Sequence, residues 1–112
     1  MDIHEYQAKQ LLSANGIKIP KGKIAYTPKE ARDVARRISV RGPWVLKAQI
    51  HSGARNGGHF LEQRAGQSGG IRIVHTLKDV YSNAEEMLGA TLVTSQTGAK
   101  GRLVSRIYVE AY

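Results

Sequence analysis

The sequence predicts an α+β domain of mixed α/β character, and three observations carry that reading. Segments whose apolar residues recur at helical spacing are interleaved with segments in which apolar and polar side chains alternate. Gly and Pro stand at the borders between them. The length of 112 residues suits one modest domain, and a hydrophobic content of 41% supplies a core.

The elements follow in order. Asp2 with Glu5 three residues on has the form of a capping box, Ile3, Tyr6, Leu11 and Leu12 mark one apolar face, and Gly16 is a natural stop. A short strand is expected over 22–26. Thr27-Pro28-Lys29-Glu30 places a capping Thr, a Pro at the first helical position and a Glu closing the box; Ala31, Val34, Ala35 and Ile38 continue a helix to about residue 39. Gly42-Pro43 ends it and opens a strand over 44–50. There Trp44, Leu46, Ala48 and Ile50 share one face, and Val45, Lys47 and Gln49 the other. From His51 to Gly70 no periodicity is visible, so a long loop is expected. A strand over 71–75 follows. Then comes a helix begun by Thr76 and Asp79, carried by Leu77, Val80, Tyr81, Ala84, Met87 and Leu88, and ended by Gly89. Two final strands, 91–96 and 103–110, flank a Gly-containing turn.

Composition narrows the function classes. The net charge is +8, and it is uneven: residues 1–56 carry 11 basic and 4 acidic side chains, residues 57–112 carry 6 and 5. With no Cys, a disulfide scaffold, a Cys-based zinc site and a thiol nucleophile are excluded. The four His residues show no metal-ligand spacing. The opening Met-Asp-Ile-His-Glu lacks the basic start and apolar core of a signal peptide, and no apolar run approaches the roughly 20 residues of a membrane span. A cytoplasmic protein without membrane contact is expected.

Two places are able to carry chemistry. Lys47 projects from a strand just before His51-Ser52-Gly53-Ala54-Arg55-Asn56-Gly57-Gly58, where small residues free backbone N–H groups to converge on phosphate oxygens. This is neither the P-loop pattern nor GxGxxG, and a solvated glycine loop with incidental cations is the alternative. Glu110 ends a strand with Tyr108 on its face; a surface carboxylate is the alternative there. The basic stretch 18–55 admits a nucleic-acid face, but it holds only Tyr26 and Trp44 as aromatics, and Arg32, Arg36 and Arg37 read equally as a solvated helix surface.

Several blocks resemble a known family. They are Met-Asp-Ile-His-Glu-Tyr-Gln-Ala-Lys-Gln-Leu-Leu at the start, the run from Trp44 to Arg55, Met87-Leu88-Gly89 with 92–98, and Arg106-Ile107-Tyr108-Val109-Glu110. In order and spacing they resemble the N-terminal part of the β subunit of ADP-forming succinate–CoA and malate–CoA ligases, of the ATP-grasp family. The resemblance implies the N-terminal lobe of an ATP-grasp domain, with helices packed on a mostly antiparallel sheet. It assigns 1–20 to an opening helix that packs with the second lobe and 21–110 to the first lobe, and it puts the second lobe and the CoA-ligase domain outside this sequence.

The resemblance implies ATP as the nucleotide and Mg2+ held by the second lobe. The α subunit is the implied partner, and it supplies the phosphorylated histidine. Lys47 matches the lysine on the ATP phosphates. Gly53, Ala54, Arg55 and Asn56 match the glycine-rich segment over them, and Glu110 matches the hinge glutamate near the base. Pro20 matches a position bearing on ATP against GTP preference. Ala54 has the form of malate-type members, Asn56 is unusual, and 58–67 matches an insertion found in some members. The chain by itself is expected to lack ligase activity and to self-associate through Ile3, Tyr6 and Leu11. The competing reading is a stand-alone basic module for nucleotides or nucleic acid.

Overall fold

Two threonines set where the described helices begin. In the computed structural model, which describes residues 7, 10, 22–50, 58–95 and 97–112, Thr27 Oγ1 accepts from the Glu30 N–H at 3.1 Å, and Glu30 Oε1 accepts from the Tyr26 N–H at 2.8 Å. The first bond satisfies an N–H group that the first helical turn leaves without a partner, and the second ties down the residue that precedes the cap. Helix α1 runs Pro28–Ile38 and buries Ala31, Val34 and Ala35. Thr76 repeats the device, accepting from Asp79 N–H at 3.0 Å, and α2 runs Leu77–Met87 with Val80, Ala84 and Met87 buried. Gly89, with φ of +82°, turns the chain out of it. Gln7 and Gln10 are helical; the apolar face expected on Ile3, Tyr6, Leu11 and Leu12 lies outside the described residues.

The strands are β1 (Gly22–Ala25), β2 (Trp44–Ala48), β3 (His59–Phe60), β4 (Ile71–Val74), β5 (Thr91–Val93), β6 (Arg102–Leu103) and β7 (Ile107–Ala111). β1, β7, β2 and β4 form one sheet in that order, and every pairing in it is antiparallel. Both helices pack on one face of this sheet and on each other. That face carries Ala25, Trp44, Leu46, Ala48, Val74, Ile107 and Val109, all buried. Trp44 is tied to the helix layer by donating its indole N–H to the Ala35 carbonyl at 2.9 Å. The α+β architecture with helices on an antiparallel sheet is therefore what the chain forms.

Two expectations are corrected. The stretch expected as one long loop is ordered structure over 58–70. β3 pairs with β5, Phe60 enters the core, and a 3-10 turn at Gln63–Ala65 buries Ala65. A two-residue strand is too short to show a period of two. The strand expected over 103–110 is two strands in different sheets. β6 pairs with β5, whereas β7 joins the main sheet. Val104 breaks the alternation by turning inward, fully buried, while its N–H bonds to the Ala90 carbonyl and its carbonyl accepts from Gly89 N–H.

Arg72 locks the ordered 58–70 stretch to α2. Its Nε–H donates to the Gly69 carbonyl, Nη1 to Asn83 Oδ1 and Glu86 Oε1, and Nη2 to the Ala65 and Ser68 carbonyls. The guanidinium also lies 5.4 Å from the centroid of the Phe60 ring. A buried Arg is stable only when its fork of donors is filled in this way.

Candidate functional site

The main sheet has a second face, turned away from the helices, and strand register decides what stands on it. Val45 is opposite Glu110, Lys47 is opposite Tyr108, and across β7 Gly22 and Ile24 stand opposite Glu110 and Tyr108. Side chains at paired positions share a face. Gly22, Ile24, Val45, Lys47, Tyr108 and Glu110 therefore form one patch, extended on β4 by Ile71 and Ile73.

At its centre Lys47 Nζ lies 2.7 Å from Glu110 Oε1. The two side chains are 18% and 8% exposed, so this is a largely desolvated pair and not a solvent-screened surface contact. Such a charge-assisted bond fixes the direction of a flexible lysine. Beside it, Tyr108 lies so close over Gly22 that a Cβ there would sit 2.5 Å from the ring carbon Cζ. The glycine is needed for that approach.

The structure brings together Lys47 and Glu110, two of the residues singled out in the sequence, although they come from distant segments. Glu110 is buried against Lys47, which removes the surface-carboxylate alternative. Pro20, Gly53, Ala54, Arg55 and Asn56 lie outside the described residues. The contact between Gly22 and Tyr108 was not visible in the sequence, because only the β1–β7 register creates it. Two basic residues of α1 have partners within the fold: Arg36 donates to Asp33 Oδ1 at 2.7 Å, and Arg32 lies 5.2 Å from the Tyr81 ring centroid.

A hollow of about 270 Å³ between β1 and α1 is lined by Lys23, Ile24, Glu30, Asp33, Val34 and Arg37. Its two cations face two carboxylates, so it offers no net positive charge to an anion. Lys47 also faces a carboxylate, and what sets it apart is that the pair is largely desolvated on the second face of the sheet. Among the described residues no group of three or more His, Asp or Glu is placed to hold a metal ion, and no helix is long and apolar enough to cross a membrane.

A profile of the ATP-grasp domain matches residues 2–112. The succinate–CoA ligase [ADP-forming] subunit beta of Rhodospirillum rubrum is 53% identical over 111 residues, covering 98% of this chain and 27% of that protein. The probable malate–CoA ligase subunit beta of Mesorhizobium japonicum is 50% identical over 110 residues, covering 98% and 25%. The succinate–CoA ligase [ADP-forming] subunit beta of Acidiphilium cryptum is 49% identical over 112 residues, covering 99% and 27%. The chain thus spans about a quarter of the length of these curated relatives.

Proposed function

The chain belongs to the ATP-grasp domain family, and from that membership we propose that it is the nucleotide-binding N-terminal portion of an acid–CoA ligase β subunit. In the whole enzyme the reaction is ATP with succinate or malate and CoA, giving ADP, phosphate and the acyl-CoA. The α subunit is the partner, and the cytoplasm is the compartment. Residues 1–20 belong with the second lobe and 21–110 form the first.

The observation that carries this reading is the position of Lys47. A cation held by a strand, in a largely desolvated place, offers a nucleotide a fixed charge for its phosphates. The ammonium faces the negative phosphates. The residues present therefore fit ATP. In this reading Lys47 binds and orients the phosphates, and Glu110, which holds the Lys47 ammonium at 2.7 Å, is the hinge glutamate near the base. In the same reading Gly53, Ala54, Arg55 and Asn56 add backbone N–H groups and a second cation, and Pro20 favours ATP over GTP. Phosphoryl transfer depends mainly on such positioning and charge stabilisation. In this reading the ligands of Mg2+ belong to the second lobe.

The test is calorimetric titration of ATP. Lys47→Ala is expected to weaken binding roughly 10- to 100-fold, the worth of a hydrogen bond to a charged group. Arg36→Ala, on the outer surface of α1, is expected to leave it unchanged. The opposite ranking, or tight nucleic-acid binding that falls steeply with salt, would contradict the proposal.

A further inference from the structure

The main sheet ends at β1, and that edge is open among the described residues. The strand order β1, β7, β2, β4 gives β1 a single neighbour, and no backbone bond from another described residue engages Gly22–Ala25 on the other side. In an antiparallel pair every second residue points both its N–H and its C=O away from the partner. β1 therefore presents free donors and acceptors along the hollow it forms with α1, which is a template for a further strand.

The charges of this hollow are sorted by end. Glu30 marks one end, tied to the residue after β1 by the Tyr26 N–H at 2.8 Å. Strand and helix run in opposite directions from there. Lys23, about 10 Å back along the strand, and Arg37, about 10 Å along the helix, mark the other end. Asp33 lies between Glu30 and Arg37 on α1, and Ile24 and Val34 supply the apolar part of the lining. Glu30 and Asp33 each use one carboxylate oxygen, on Tyr26 and Arg36. Among the described residues Lys23 and Arg37 have no ion-pair partner.

We propose that this edge and hollow dock an extended peptide segment, which adds to the sheet beyond β1 and carries one basic and one acidic side chain two positions apart. Residues so spaced share a face of the guest strand about 7 Å apart. The basic side chain meets Glu30 and Asp33, and the acidic one meets Lys23 and Arg37. Because the hollow carries both signs, a guest of one sign gains at one end what it loses at the other. A second copy of this chain does not fit the edge: its β1 has Lys23 as its one charged residue and brings no carboxylate to the cationic end.

Fluorescence anisotropy with three labelled peptides tests this on the 112-residue chain: Thr-Val-Lys-Val-Glu-Val-Thr, and analogues with Glu or with Lys in both charged places. The net charge of +8 by itself favours the all-acidic peptide. The docking site instead predicts that the mixed peptide binds about tenfold more tightly than either analogue. Arg37→Glu is expected to weaken the mixed peptide about tenfold. Lys23→Gln, a milder change at an exposed position, moves it the same way and serves if the first variant does not fold. Bound mixed peptide should also slow amide hydrogen exchange within 22–25, which a charge contact on α1 alone would not do. All-acidic peptide binding as tightly as the mixed one overturns the inference, as does unchanged exchange within 22–25. Self-association that protects these amides without peptide overturns it too, since the edge then belongs to a second copy.

Discussion

Gly22 shows how one side chain, or its absence, shapes the patch. A methyl group there would run into the Tyr108 ring, which is 3% exposed and has little room to withdraw. Gly22→Ala is therefore expected to destabilise the fold by about 1–3 kcal/mol, as overpacking of a filled site does. Tyr108→Leu in the same chain should restore most of that loss. Denaturant unfolding of the two variants checks it, and full stability of the single variant would contradict the packing. The side of β2 on which Lys47 stands was legible from strand alternation alone, and so was the shared face of Tyr108 and Glu110. Their meeting was not, because it depends on the β2–β7 register, which no local pattern specifies.

The helices were legible because their signals are local. Thr27 with Glu30 and Thr76 with Asp79 mark both starts, and the buried residues are those at helical spacing. The second sheet was not, since β3 and β6 have two residues each and take their order from tertiary bonds. Glu62 is one of those bonds: Oε1 accepts from Thr91 N–H at 2.7 Å and Oε2 from the Thr91 hydroxyl at 2.9 Å. The Thr91 backbone N–H, then its hydroxyl, hold this carboxyl below its ordinary value against the opposing effect of burial, with lesser help from its own backbone N–H and the Arg64 charge. Its contribution to stability is therefore present above the ordinary glutamate pKa and is lost as pH falls through the lowered one. Glu62→Gln should show a flatter loss of stability than the wild type as pH falls through and below the ordinary glutamate range. Unfolding curves at several pH values in that window decide the matter; parallel pH dependences would refute the role.

The molecule as a whole divides its main sheet between two tasks. The face under α1 and α2 holds the core, and the opposite face gathers a cation, its carboxylate partner and an aromatic ring from β1, β2 and β7. Antiparallel pairing makes the division possible, because residues one apart on each strand serve different faces. The family was legible from sequence blocks, whereas the patch became concrete only when four strands were laid side by side. The most direct measurement is a map of backbone amide chemical shifts in the chain as ATP is added. Changes centred on Gly22, Ile24, Val45, Lys47, Tyr108 and Glu110, and absent from Lys47→Ala at the same ATP concentration, are the expected result. Changes centred instead on Arg32, Arg36 and Arg37 of α1, with the Lys47 patch silent, would contradict it.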